Sequence, residues 1–265
     1  MMSASKASAI SALIVHDLSA GWGGKAVISH VTLRVRAGGS LAIIGQSGCG
    51  KTTLLSALAG LEKPLSGSIA WEGGEPVKGM VWQSLALLPW KRALQNLMLP
   101  LELSGIPRKE AMERAREMLS TLGLSQYARA WPHELSGGQR QRLALGRALI
   151  ARPGALFMDE PFSALDLMLR ERMQDEVKRL CALLGCTLVF VTHDISEAVY
   201  LGEEVLLLLP DPSRVGGIFK NPAFVADPGK AAASRFGRES FEAQSMLRRA
   251  LCGAMDGRDA AQGSI

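Results

Sequence analysis

Long apolar runs are missing from these 265 residues: none approaches the roughly 18 that a bilayer-spanning helix needs. The N-terminal stretch also makes a poor signal peptide. Its apolar patch, Leu13, Ile14 and Val15, has a single lysine ahead of it and runs straight into His16 and Asp17. The four cysteines, Cys49, Cys181, Cys186 and Cys252, form no C-x-x-C pair. That excludes the usual zinc spacings and leaves reduced thiols as the expectation. Neither sign of charge gathers into a block. The 30 basic and 25 acidic residues are spread along the chain, so the net charge of +5 describes a solvated surface rather than a nucleic-acid stripe. No nucleic-acid partner is expected, and no internal repeat is visible. These absences predict a soluble, cytosolic protein whose membrane role, if it has one, runs through a partner. The 48% hydrophobic content is enough for a real core, in one large domain or two small ones.

The densest signal is LAIIGQSGCGKTT, residues 41–53. Four apolar residues read as a short buried strand, followed by the spacing G-x-x-x-x-G-K-T on Gly45, Gly50, Lys51 and Thr52. Glycines let successive backbone N–H groups converge on phosphate oxygens, and the helix over 52–61 adds the positive end of its dipole. Lys51 is placed to reach β- and γ-phosphates, and the Thr52 hydroxyl to sit on Mg²⁺. The loop residues Gln46, Ser47, Gly48 and Cys49 and the following Thr53 complete the cradle. This pattern implies a bound nucleoside triphosphate.

Before the loop, residues 12–20 and 27–36 read as strands. In the second, Val31, Leu33 and Val35 alternate with Thr32, Arg34 and Arg36, so one face is wet and an antiparallel sheet is expected. Residues 68–71 and 79–83 are two further short strands. No strand is predicted over 86–149, a helical insertion. There Pro107 starts a helix with a stripe of Met112, Ala115, Leu119 and Leu122, with Glu110 and Arg114 paired outside and Gly123 at its end. Continuous apolar runs at 155–158, 187–191 and 205–209 are strands buried on both faces of a parallel sheet, with a helix over 165–184 making a βαβ unit. The fold class is therefore α/β. Beyond 210 the chain turns rich in Pro, Gly, Ala and Arg. A modest helix over 239–251 and a disordered end from Gly253 are expected, the whole reading as a loose extension.

Two acids, Asp159 and Glu160, close the apolar strand ALFM. Beside a phosphate loop, the first suits the Mg²⁺ shell and the second can polarise an attacking water. Ser136 is a natural N-cap for a helix over 140–150, and Gly137 and Gly138 expose N–H groups at its positive end.

The pentapeptide LSGGQ, Leu135 to Gln139, resembles the signature of the ATP-binding-cassette ATPases, and the family's other motifs follow in its order. GQSGCGKTT matches the phosphate loop and ALFMDEP the Walker B strand. Gln83 resembles the Q-loop glutamine, a catalytic and metal-facing residue. Ser163, Ala164, Leu165 and Asp166 resemble the D-loop. His193 in VFVTHD resembles the switch histidine that senses the γ-phosphate, and Trp22 sits where the family stacks an aromatic on adenine. The resemblance covers residues 12–210. It implies a P-loop core with a mostly parallel sheet, an antiparallel β subdomain and a helical subdomain inserted at about 86–149, with 211–265 as a C-terminal extension. It also implies ATP and Mg²⁺ as ligands, and a head-to-tail homodimer or heterodimer. Each nucleotide would lie between one phosphate loop and the other chain's Ser136, Gly137, Gly138 and Gln139. The departures are slight: Gln46 stands where Pro is frequent, Thr52 where Ser is frequent, and Ser84 where an acid is common.

Within the family, LLPW after Gln83, FSALD before a long helix, and HDISEAVYL resemble the nitrate, sulfonate and taurine importer ATPases. That group also includes relatives for bicarbonate, cyanate and thiamine-precursor pyrimidines. The expected partners are an integral-membrane permease, docked at the apolar, aromatic-tipped loop 85–90, and indirectly a solute-binding protein. The expected location is the inner face of the cell membrane. Soluble cassette ATPases acting on DNA or ribosomes usually carry coiled-coil insertions, paired cassettes or zinc modules, none of which is present. Exporter or lipid-transport ATPases can have this same length.

Overall fold

The computed structural model describes residues 11–163, 165–209 and 214–262, with side chains to Cys252. Strands β1 (Ala12–Trp22) and β2 (Lys25–Val35) form an antiparallel hairpin. Strand β3 (Ser40–Gly45) then enters the core and leads through the phosphate-loop sequence to α1 (Lys51–Ala59), capped by left-handed Gly60. Strand β4 (Ser66–Glu72) returns to the other side of β1, giving an antiparallel sheet of order β2-β1-β4. The alternation in β2 is as expected: Val31, Leu33 and Val35 are buried while Thr32 and Arg34 are exposed.

After β5 (Lys78–Val81) come α2 (Ala93–Leu103), α3 (Arg108–Thr121) and α4 (Gly137–Leu149), with no strand among them. α2 is not among the expected helices, and it carries Pro100 in its interior, where a helix loses a donor. α3 turns slightly from its predicted stripe. Ala111, Ala115 and Leu119 are its buried residues, and Met112 only packs at the margin of this satellite core. Glu110 pairs with Arg114, and Gly123 leaves the helix at φ 66°.

Strands β6 (Ala155–Asp159) and β7 (Thr187–Thr192), joined by α5 (Leu167–Leu184), form the predicted βαβ unit. α6 (Ile195–Leu201) leads to β8 (Glu204–Leu209), and β9 (Arg214–Lys220) follows. The large sheet has the order β5-β6-β7-β3-β8-β9, parallel throughout except for β9, which is antiparallel on β8. Its central strands are buried on both faces, which is why they read as continuous apolar runs. Along β3, Leu41 and Ile43 join the core shared with α1 and the antiparallel sheet, while Ala42 and Ile44 join the core on the opposite face.

Past residue 210 the described chain packs back on this sheet. β9 lengthens the sheet, α7 (Pro228–Ser234) and α8 (Arg238–Gln262) follow, and Ala223, Ala231, Ala243 and Leu247 lie in one core cluster with Phe190, Val205 and Leu207. Composition hid this packing, because the buried tail residues are mostly alanines. The helix expected over 239–251 runs longer, and the side chains from 253 lie outside the described residues. Among the described residues no helix is long and apolar enough to cross a membrane.

Candidate active site

Four neighbouring strands of the large sheet, β5, β6, β7 and β3, run parallel, so their carboxyl ends open along one edge. Ligands of open α/β sheets bind at such an edge. The residues singled out in the sequence follow these ends directly: Gln83 after β5, Asp159 and Glu160 at β6, His193 after β7, and the loop 45–53 after β3.

The loop needs its glycines. A Cβ on Gly45 would strike the Leu208 carbonyl of β8, and Gly48 and Gly50 hold φ of 78° and 91°. A Cβ on Gly50 would also come within 2.7 Å of Ile28 Cγ2. Gln46, Ser47 and Gly48 form an exposed lip, whereas Cys49 is buried in the core, where burial raises its thiol pKa. Cys49 therefore offers the site its backbone only. Lys51 is 8% exposed, and its Nζ donates to Gly45 O at 2.9 Å and Gln46 O at 2.8 Å, folding the amine across its own loop.

Thr52 Oγ1 lies 3.3 and 3.1 Å from the two carboxylate oxygens of Asp159. Burial raises the Asp159 pKa, and the charge of Glu160 adds to this, while the Thr52 hydrogen bond and the Lys51 charge oppose it. A hydroxyl and a carboxylate at this separation are hard oxygen donors, which suit Mg²⁺. No cluster of three His, Cys, Asp or Glu side chains able to hold a metal occurs among the described residues.

Glu160 is held at φ 43°, and its N–H donates to Val191 O at 3.0 Å, which fixes it to the end of β7. Its Oε2 lies 3.5 Å from Gln83 Nε2 and 3.4 Å from His193 Nδ1. These are loose contacts by hydrogen-bond standards, yet they bring two side chains, from the ends of β5 and β7, to the one carboxylate at the end of β6. Trp22, 54% exposed at the end of β1, reaches the same loop through Nε1, 3.4 Å from Thr53 Oγ1.

The second expected anion-binding element, residues 136–139, is built on α4. Ser136 caps α4 with a full capping box: its Oγ accepts from Gln139 N at 3.3 Å and its N–H donates to Gln139 Oε1 at 2.8 Å. The helix therefore starts at Gly137, three residues before the predicted start, because a capping serine is followed at once by helix. A Cβ on Gly137 would meet nothing, and one on Gly138 would strike Leu169 of α5. No hydrogen bond among the described residues joins 136–139 to the phosphate loop. Asp166 caps α5, accepting from Leu169 N at 3.0 Å, and Ala164 lies outside the described residues.

A sequence profile described as ABC transporter matches residues 28–163. The chain is also 42% identical over 221 residues to the taurine import ATP-binding protein TauB of Chromobacterium violaceum, covering 80% of this chain and 84% of that one. The chain belongs to the ABC transporter family. It is likewise 41% identical over 213 residues to the aliphatic sulfonates import ATP-binding protein SsuB 1 of Rhizobium johnstonii, at 78% and 76% coverage. Among solved structures, the dimeric structure of MJ0796, a bacterial ABC transporter cassette, aligns with TM-score 0.70 at 30% identity. The alignment covers 78% of this chain and 98% of that one. A dimeric post-hydrolysis state of the same cassette, bound to ADP and Pi, aligns with TM-score 0.69 at 30% identity, with the same coverage. The chain is thus an ATP-binding cassette of the ATPase type.

Three residues of the cassette's site carried no sequence signal of their own. Arg147 of α4 donates to Leu85 O at 2.9 Å and Ala86 O at 2.7 Å, bracing the turn after Gln83, where both residues hold positive φ. Arg170 of α5 and Glu197 of α6 line one small cavity with His193. The only hint for Glu197 was its place four residues after the histidine, on the short helix that follows it.

Proposed function

We propose that the chain is the ATP-hydrolysing subunit of a membrane importer for a small anionic organic solute of the sulfonate or taurine type. The observation that carries this reading is the 42% identity over 80% of the chain to a protein named for taurine import, joined by sulfonate-import relatives at about the same identity. The domain reading that goes with it is a cassette over 12–210, a helical subdomain at about 86–149, and an extension over 211–265.

In this reading Lys51 exchanges the carbonyls of Gly45 and Gln46 for β- and γ-phosphate oxygens. The backbone N–H groups of residues 46–53 cradle the same phosphates. Trp22 stacks on the base. Thr52 and Asp159, with the Gln83 amide oxygen, would hold Mg²⁺, which when bound neutralises charge between the β- and γ-phosphates. Glu160 polarises the attacking water, and His193 and Gln83 orient it against the γ-phosphate. Ser136 and Gly137 lie exposed at the N-terminus of α4, with Gln139 half-buried and Gly138 buried behind them, and together they would form a half-site completed by a second cassette's nucleotide. Asp166 lies beside that shared interface. The loop 85–90, with Trp90 69% exposed, supports docking to a permease, which would hold the subunit on the inner face of the membrane.

The test is a pull-down of Glu160→Gln with ATP from detergent-solubilised native membranes, read by mass spectrometry. Recovery of a polytopic permease, with or without a solute-binding protein, is expected. Recovery of ribosomes or DNA-repair proteins in its place would overturn the transport reading.

A further inference from the structure

The turn that presents His193 is gripped on both flanks. On one side Thr192 Oγ1 donates to Glu197 Oε2 at 3.1 Å and accepts from Asp194 N at 3.0 Å. On the other, Arg170 donates to Asp194 Oδ2 at 3.2 Å through one terminal nitrogen and to Leu165 O at 3.1 Å through the other. His193 stands between the two gripped residues.

Each gripping side chain has one polar atom left over. Glu197 Oε1 and Arg170 Nε are both buried, and neither has a hydrogen-bond partner among the described residues. Glu197 is only 4% exposed. A buried polar atom left unpaired carries its full desolvation cost, so two on one pair of residues ask for a common partner. Both residues line a single cavity of about 20 Å³, together with Glu160, Ser163, Thr192, His193 and Asp194. A buried water needs about 10–15 Å³ and two to four polar partners, and this cavity supplies both. Arg170 Nε–H can only donate, and a water oxygen accepts it. The same water can donate to a carboxylate oxygen of Glu197, or accept from it when the acid is protonated.

We propose that Glu197 and Arg170 hold one internal water between them, closing a clamp of Thr192, Glu197, water, Arg170 and Asp194 that positions His193 for turnover. The clamp rests on the reading of His193 and Glu160 as hydrolytic groups. Glu197 acts through Thr192, so it is a positioning residue.

The protonation of Glu197 sets the clamp's tightness. Burial pushes its pKa up to about 8; the Thr192 hydrogen bond and the Arg170 charge work against this, and the Asp194 and Glu160 charges work with it. The charged and titratable groups facing it are thus Asp194 at the cap of its own helix, Arg170 from α5, Glu160 after β6, and His193 on the cavity wall. At neutral pH the acid is largely neutral. Above pH 8 a third carboxylate joins Asp194 and Glu160 around one small cavity, and their repulsion works against the clamp.

The experiment measures ATP hydrolysis by the full chain from about pH 6.5 to 9, alongside binding of a fluorescent ATP analogue. Glu197→Leu is expected to lose roughly 10- to 100-fold in kcat with nucleotide affinity retained, the size of effect that a small misplacement of catalytic groups produces. Glu197→Gln, which keeps the neutral hydrogen-bonding shape, is expected to recover most of that loss and to lack the wild-type decline above pH 8. Wild-type kcat in Glu197→Leu, or the same alkaline decline in Glu197→Gln, would overturn the proposal. A crystal structure that resolves ordered waters decides independently of activity, even if the leucine variant does not fold. Density between Glu197 Oε1 and Arg170 Nε supports the clamp, and a dry cavity sinks it. Wild-type turnover in Glu160→Gln would remove the hydrolytic reading while leaving that density where it is.

Discussion

Glu160 sits at φ 43°, a left-handed backbone that costs a non-glycine residue about 1–3 kcal/mol, and its N–H is tied to Val191 O. The strain aims the carboxylate at Gln83 and His193 rather than along the strand. Glu160→Gln keeps the shape and removes the proposed base, so phosphate release should fall by about 10²-fold or more while ATP stays bound. Retained wild-type turnover would show that another group activates the water. Lys51 is buried with its amine on two carbonyls, a local arrangement that phosphate oxygens can replace with stronger charge-assisted bonds. Lys51→Ala should weaken ATP binding by roughly 10- to 100-fold, the equivalent of about 1.5–3 kcal/mol for hydrogen bonds to a charged group. A titration giving unchanged affinity would sink that role.

Between elements, the link that matters most is Arg147. α4 starts at the exposed capping box, and ten residues into it Arg147 reaches the carbonyls of Leu85 and Ala86. The turn after Gln83 is thereby tied to the helix whose N-terminus carries Ser136, Gly137 and Gly138. Two consecutive non-glycine residues at positive φ do not hold that shape without outside support. Arg147→Ala should release the turn and let Gln83 drift from Glu160. Turnover should then drop about tenfold with ATP affinity intact, because a loosened catalytic group is lost in orientation and not in binding. If kcat is unchanged, the turn holds itself.

For the whole molecule, the proposed reading has the chain supply half of each of two nucleotide sites. The phosphate loop lies at the sheet edge, and among the described residues no hydrogen bond joins it to the capping box of α4. Ser136→Arg should therefore abolish hydrolysis while sparing nucleotide binding, and normal turnover in that variant would exclude a shared site. The C-terminal segment is likewise part of the whole. Arg235, after α7, donates to Asp175 at 2.8 Å, pairs with Gln174, and stacks over the Tyr200 ring, while Lys178 lies between the rings of Tyr200 and Phe224. Burial, then the Arg235 charge, pulls the Lys178 pKa from 10.5 down to about 8, against the Asp175 charge. Between those two values the folded chain binds fewer protons than the unfolded one, so this residue makes stability rise as pH climbs from about 8 toward 10.5. Thermal melts of Lys178→Met should lack that increment relative to wild type. Identical pH dependence in both proteins would mean that the amine's burial is not felt.

By itself the sequence determined what short range controls. The glycine spacing of residues 45–50, the wet and dry faces of β2, the both-faces burial of β3, β6 and β7, and the serine cap of α4 are all demands that φ, periodicity or one side chain makes within a few residues. The candidate site was legible to the same extent, one motif at a time. Only the tertiary structure decided that Gln83 and His193 meet at the Glu160 carboxylate. Their meeting depends on the order β5-β6-β7-β3, and non-local pairing of that kind has no local signature. The tertiary structure also chose Ala111 over Met112 on α3, drew the alanine-rich tail into the core, and left Arg170 and Glu197, which line the same cavity, each with one atom unpaired among the described residues. Each of these is settled by which elements pack together across the chain, where shape and desolvation outweigh what any single stretch prefers.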